Sequence, residues 1–179
     1  MKRSNKRRFL SLWLALLMVL SLTTGMSFTA LGADQDIVVL YTNDVHCGVD
    51  DNIGYAGLAL YKKEMQAKTP YVTLLDAGDA IQGAPIGTLS DGGYLIDIMN
   101  KVGYDFAVPG NHEFDYGMPR FLDLAGKLSC GYYSSNFMDL RTGNRVFAPY
   151  KIITYGDTKV AYVGATTPES FTKSTPAYF

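Results

Sequence analysis

The chain is 179 residues long, 47% apolar and 13% aromatic, which is enough to bury a core within one domain of ordinary size and excludes intrinsic disorder. Five of its 16 basic residues (Lys2, Arg3, Lys6, Arg7, Arg8) precede Phe9, leaving 11 against 17 acidic side chains. That balance, a formal charge of −6, excludes the basic footprint of a protein that binds a nucleic-acid polymer.

Behind the basic start, the stretch from Phe9 to Ala33 (FLSLWLALLMVLSLTTGMSFTALGA) carries no charge, and small residues gather at Ala30, Gly32 and Ala33. This order of basic, apolar and small residues reads as a bacterial-type signal peptide over residues 1–33, with cleavage before Ala33 or Asp34. The alternative is an uncleaved anchor, because 25 uncharged residues can cross a bilayer of roughly 30 Å as a helix. Either way residues 34–179 are expected outside the cytoplasm, secreted or in the cell envelope, touching a membrane only through the leader.

From there short apolar runs alternate with segments of helical period, the pattern of βαβ units around a largely parallel sheet. IVVLY (37–41) reads as the first strand. AGLALYKKEMQAK (56–68) reads as a helix that turns Leu58, Tyr61 and Met65 inward. YVTLL (71–75) is the second strand, and residues 94–102 form a helix with Tyr94, Leu95, Ile98, Met99 and Val102 on one stripe, stopped by Gly103. DFAV (105–108) is the third strand, followed by a helix over 118–128 that buries Phe121, Leu122, Ala125 and Leu128. YYSS (132–135) reads as a fourth strand, and PYKIITYGDTKVAYVGA as two strands joined at Gly156 and Asp157, a tight hairpin. The expected fold class is α/β, mostly parallel βαβ units followed by a β-hairpin. Tyr61, Tyr94, Tyr132 and Tyr133 are assigned to packing rather than base stacking. Cys47 and Cys130 could form one bridge but are read as two free or buried thiols.

Sites in open α/β sheets form where strands end at their carboxyl edge. The first strand ends in TNDVHCG, the second in DAGDAIQG and the third in PGNHEFD, so oxygen and imidazole donors follow all three. In extended backbone Asp44 and His46 point to the same side and can grip one cation. Taken singly, Asp-x-His is also a solvated strand end, Gly78-Asp79 a turn, and Asn111-His112 a polar loop. The ordered set is more informative, since Asp44, Asp79 and Asn111 are 35 and 32 residues apart, about one βαβ unit each. Cys47 reads as packing, given the preference of thiolates for softer metals, and Asp76 and Glu113 as structural hydrogen-bonders.

NDVHCG, DAGDAIQG and PGNHEFDYG resemble the first three blocks of the calcineurin-like metallophosphoesterases, in the secreted 5'-nucleotidase and 2',3'-cyclic phosphodiesterase branch, over about residues 37–168. The resemblance implies a partial metallophosphoesterase sandwich that hydrolyses phosphate esters of nucleotides by attack of metal-bound water. It implies two divalent ions (Zn, Mn, Mg or similar): Asp44 and His46 on the first, Asp79 bridging both, Asn111 on the second. His112 is then the catalytic histidine and Asp115 its orienting partner. A shared carboxylate fits that arrangement, because two cations about 3.5 to 4 Å apart repel each other and can clamp an in-line displacement.

The family completes its metal site with further histidines in a Gly-His and a Gly-His-x-His segment and adds a C-terminal substrate domain. No histidine follows His112 here. Four donors do not satisfy two ions that each take about four to six ligands. Residues 34–179 are therefore expected to be the N-terminal portion of a longer catalytic domain, inactive alone, with a nucleotide or another small phosphate ester as substrate. The alternative is a non-catalytic envelope or binding protein that keeps the α/β scaffold and a partial metal site.

Overall fold

A computed structural model describes residues 35–175 and 177, and the compact unit that begins at Asp36 carries the fold. The expected signal peptide or anchor, residues 1–33, lies outside the described residues. Among the described residues no helix is long and apolar enough to cross a membrane.

Three parallel strands make the central sheet in the order β1-β2-β3: β1 (Val38–Thr42), β2 (Val72–Asp76) and β3 (Phe106–Ala107). The β1–β2 register runs from Val38 opposite Val72 to Thr42 opposite Asp76, and β3 joins β2 with Leu75 opposite Phe106 and Asp76 opposite Ala107. Thr42, Asp76 and Ala107 thus end the three strands on one line. The parallel α/β architecture matches the sequence reading.

Helix α1 (Gly54–Gln66) buries Leu58 as expected, but with Tyr55 and Lys62 beside it, while Met65 is half-buried and Tyr61 is 45% exposed. A lysine takes the inward position because its ammonium reaches Asp105 Oδ2 at 3.0 Å and the Gly103 carbonyl, so the charge enters the interior already paired. Its aliphatic stem supplies the packing.

A one-turn helix, α2 (Pro85–Thr88), absent from the sequence expectation, precedes α3 (Gly93–Val102). In α3 the buried residues are Leu95, Ile96 and Met99, while Tyr94 is 56% exposed, so packing accounts for neither Tyr61 nor Tyr94. Gly103 ends α3 as expected, with φ +81° and its N–H bonded to the Met99 carbonyl. Helix α4 (Met118–Lys127) buries Phe121 and Leu124, with Leu128 just beyond its end; Leu122 faces outward at 44% exposure.

Phe121 is the hub of the aromatic core. It meets Phe114, Tyr132 and Phe147 edge-on, with ring centroids 5.1, 5.0 and 5.6 Å away. Contacts of this geometry add about 0.5–1.5 kcal/mol each to the apolar burial.

The expected strand at 132–135 shrinks to two isolated bridges, Tyr132 beside Ala107 and Tyr133 beside Ala148. The backbone stays bonded beyond them, Ser134 N–H to the Ala148 carbonyl at 3.0 Å and Ser135 N–H to the Gly164 carbonyl at 2.8 Å, while the Ser134 hydroxyl bonds Asn136 and Thr166. A small ribbon of β4 (Met138–Asp139) and β5 (Asn144–Arg145) follows, then the hairpin β6 (Tyr150–Tyr155) and β7 (Thr158–Val163). Its turn falls at Gly156, with φ +56°, and Asp157 as expected. The last helix, α5 (Ser170–Lys173), is one turn long.

Candidate functional site

Three loops leave the sheet side by side at the line through Thr42, Asp76 and Ala107. The first is stitched to the second by backbone bonds, Asp44 N–H to the Gly78 carbonyl at 3.0 Å and His46 N–H to the Asp79 carbonyl at 2.9 Å. The second approaches the third so closely that a Cβ on Gly78 (φ +107°) would lie 2.5 Å from the Gly110 nitrogen. A Cβ on Gly110 would in turn lie 2.3 Å from Asp79 Oδ1. These two glycines let donors from different strands share one small volume.

Asp44, His46 and Asp79 all have left-handed backbone, with φ of +51°, +48° and +59°. The extended geometry expected for Asp44 and His46 is therefore not what brings them together; a tight turn does. Left-handed backbone costs a non-glycine residue about 1 kcal/mol or more and persists only where the surroundings enforce it, which happens mostly at functional sites.

At Asp79 the enforcing group is Glu113. Fully buried, its carboxylate accepts the N–H groups of Asp79 (2.9 Å), Ala80 (2.9 Å) and Gly110 (2.6 Å). One side chain thereby ties the second loop to the third, the structural hydrogen-bonding role expected of it. Burial pushes its carboxyl above the ordinary range, opposed by those same N–H bonds.

The residues expected from sequence gather here. Donor atoms of His46, Asp79 and His112 all lie within 4.8 Å of one another. Asp44 joins through His46, its Oδ1 3.8 Å from Nε2, while the Asn43 amide holds its other oxygen at 2.7 Å. Asn111 is buried between Gly110 and the 3-10 turn His112–Phe114. Asp115 Oδ2 lies 2.6 Å from His112 Nδ1.

The donor set fits a divalent cation. His46 directs Nδ1 at the Gln82 carbonyl, 3.2 Å away, which leaves Nε2 free to ligate, the arrangement metal-binding histidines commonly adopt. Asp79 Oδ1 accepts the His112 N–H at 2.7 Å, so the carboxylate is oriented before any ion arrives. The His46 and His112 rings meet edge-on, with centroids 4.8 Å apart. Cys47 and Cys130 are buried free thiols, and burial pushes both up, Cys130 to about 11, so neither offers a ready thiolate.

Beneath the loops Asp76 is buried, accepts the Thr42 hydroxyl at 3.0 Å and is held up to about 8, by burial first and the Glu113 charge second. A carboxyl raised this way binds more protons in the folded chain than in the unfolded one between pH about 4 and 8. The stability it contributes is full below that window and is lost as pH rises through it. In chelator, the urea midpoint is expected to fall between pH 5 and 8.5, and Asp76→Asn should flatten the slope. The scale is about 1.4 kcal/mol for each pH unit of displacement. A variant slope as steep as that of the wild type would remove Asp76 from the explanation.

A family model described as calcineurin-like phosphoesterase matches residues 37–173. The chain is 36% identical over 175 residues to Protein UshA of Escherichia coli (strain K12), covering 91% of this chain and 32% of that protein. It is 33% identical over 165 residues to a snake venom 5'-nucleotidase of Gloydius brevicauda, covering 79% of this chain and 27% of that one. Among solved structures, a 5'-nucleotidase precursor from Thermus thermophilus shares its fold with a TM-score of 0.65 at 27% identity, over 74% of this chain and 29% of the other. The chain spans about a third of the length of these curated relatives.

Proposed function

The chain belongs to the calcineurin-like phosphoesterase family, and from that premise we propose that its protein hydrolyses phosphate esters of nucleotides with divalent metal ions at the loop edge. The observation that carries this reading is the convergence of His46, Asp79 and His112 within 4.8 Å at the ends of three parallel strands. Names of relatives, a 5'-nucleotidase from venom among them, support both the nucleotide substrate class and a place outside the cytoplasm. The leader pattern in residues 1–33 supports the same location.

In this reading Asp44 and His46 would hold one ion, Asp79 would be shared, and Asn111 would serve a second. Divalent ions supply Lewis-acid polarisation of a phosphoryl oxygen and a water acidic enough to attack near neutral pH. The chain's own part is orientation and proton traffic. Asp115 engages His112 Nδ1, so Nε2 is the atom from which a proton can pass to the departing alkoxide. The Asp79 carboxylate, kept in place by the His112 N–H, links the ligand set to that acid.

Four donors serve two ions poorly, and the match covers 32% of a relative's length, so residues 34–179 are read as the N-terminal portion of the catalytic domain. Titrating the 179-residue chain with Mn²⁺ or Zn²⁺ should show one ion bound, lost in Asp79→Asn. Two tightly held ions would contradict the donor count. Phosphate release from a nucleoside 5'-monophosphate or a cyclic nucleotide by the natural protein checks the activity; its absence with metal bound would favour a binding protein instead.

A further inference from the structure

We propose that Ser174 is a positioning residue for the His112–Asp115 pair. Its hydroxyl donates to Asp115 Oδ1 at 2.7 Å, while the other oxygen of that carboxylate, Oδ2, meets His112 Nδ1 at 2.6 Å. Each oxygen of Asp115 therefore has its own partner. An ionised carboxylate only accepts hydrogen bonds, so the serine must be the donor in this pair.

Without Ser174 the Asp115 carboxylate could turn about its own axis and exchange the oxygen it offers to the ring. With one oxygen held, the other keeps a fixed direction, so the neutral imidazole carries its proton on Nδ1, and the proton added to form the acid sits on Nε2. Ser174 is itself fixed. Its N–H bonds the Ser170 carbonyl at 3.0 Å, and Ser170 is buried with its hydroxyl on the Thr167 carbonyl at 2.8 Å.

Lys173 gives an independent sign that the end of α5 borders the site. Its ammonium is held above the ordinary value by Glu169, its partner at 2.8 Å, with smaller contributions from the charges of Asp79 and Asp44. The residue next to Ser174 thus lies within the electrostatic reach of two expected metal ligands.

The test compares Ser174→Val with Ser174→Thr, side chains of equal shape that differ by the hydroxyl. The chain's only histidines are His46 and His112, so imidazole ¹⁵N shifts at pH 8.5 in chelator can be assigned with a His46→Gln control. Wild type and Ser174→Thr should show His112 protonated at Nδ1 alone. Ser174→Val should show averaging between Nδ1 and Nε2, with the His46 signals unmoved. Unchanged His112 signals in a folded Ser174→Val protein would overturn the proposal.

The kinetic arm rests on the phosphoesterase reading. In the natural protein, Ser174→Val should lower kcat about tenfold at constant KM, the scale of one hydrogen bond to a charged group, with Ser174→Thr close to wild type. The ¹⁵N arm needs no activity. Absent hydrolysis with a responsive His112 would therefore sink the phosphoesterase reading and leave the role of Ser174 intact.

Discussion

Glu113→Ala is expected to destabilise the protein by about 3–5 kcal/mol, because three backbone N–H groups, two of them buried, lose their acceptor at once. The groups are those of Asp79, Ala80 and Gly110, drawn from two loops that no strand pairing joins at this point. Glu113→Gln should cost less than alanine but not nothing. Its carbonyl can serve Asp79 and Gly110, which share one oxygen of the native carboxylate, while its amide turns a donor toward the Ala80 N–H. Urea unfolding of the three proteins at one pH checks the order, and metal titration should show that the alanine variant also loses the ion. An alanine variant within about 0.5 kcal/mol of the wild type, the range of ordinary surface substitutions, would show that the loops hold without the carboxylate.

His112→Ala should lower turnover of the natural protein by roughly 10²–10⁴, the usual contribution of a general acid, with bound metal unchanged. The geometry makes this measurement decisive, since a donor atom of His112 also falls within 4.8 Å of His46 and Asp79. If metal leaves with the side chain, His112 is a ligand and the proton donor must be sought elsewhere. If metal stays and turnover falls, the Asp115 contact at 2.6 Å belongs to an acid held in one orientation. Metal content by mass spectrometry and turnover on one nucleotide substrate separate the two.

The central sheet was legible because parallel strands read as continuous apolar runs, as IVVLY and YVTLL do, and because each run was followed by polar donors, although the first run, at the sheet edge, leaves Ile37, Val39 and Tyr41 exposed. Helix phase was less legible. An apolar stripe does not foresee Lys62 facing inward, since that depends on Asp105 and the Gly103 carbonyl, 43 and 41 residues away. Elements of one turn, such as Pro85–Thr88 and Ser170–Lys173, are too short for a period of 3.6 to register. Tyr132 and Tyr133 look like strand residues, yet they pair through isolated bridges with two different neighbours, Ala107 and Ala148, 25 and 15 residues away, which alternation along the sequence does not foresee.

In the site, residue types pointed to the right positions but not to the geometry. Asp44 and His46 come together through left-handed turns, which alternation along a strand cannot anticipate. Glu113 could be flagged by its place beside His112. Ser174 could not, because it meets Asp115 across 59 residues and its neighbours carry no chemical pattern.

The strand order has a kinetic consequence. Among the three parallel strands, β1 and β3 each pair with β2 and not with each other. Until β2 is inserted between them, the loop of Asp44 and His46 and the loop of His112 have no common frame of reference. A partly folded chain missing the β1–β2 pairing therefore cannot bring Asp44 and His46 to Asp79, and one missing the β2–β3 pairing leaves His112 and Asn111 apart from them, however well the local turns have formed. Ion uptake followed during refolding would time the docking of the edge strand β1 onto β2, ahead of or behind the arrival of β3.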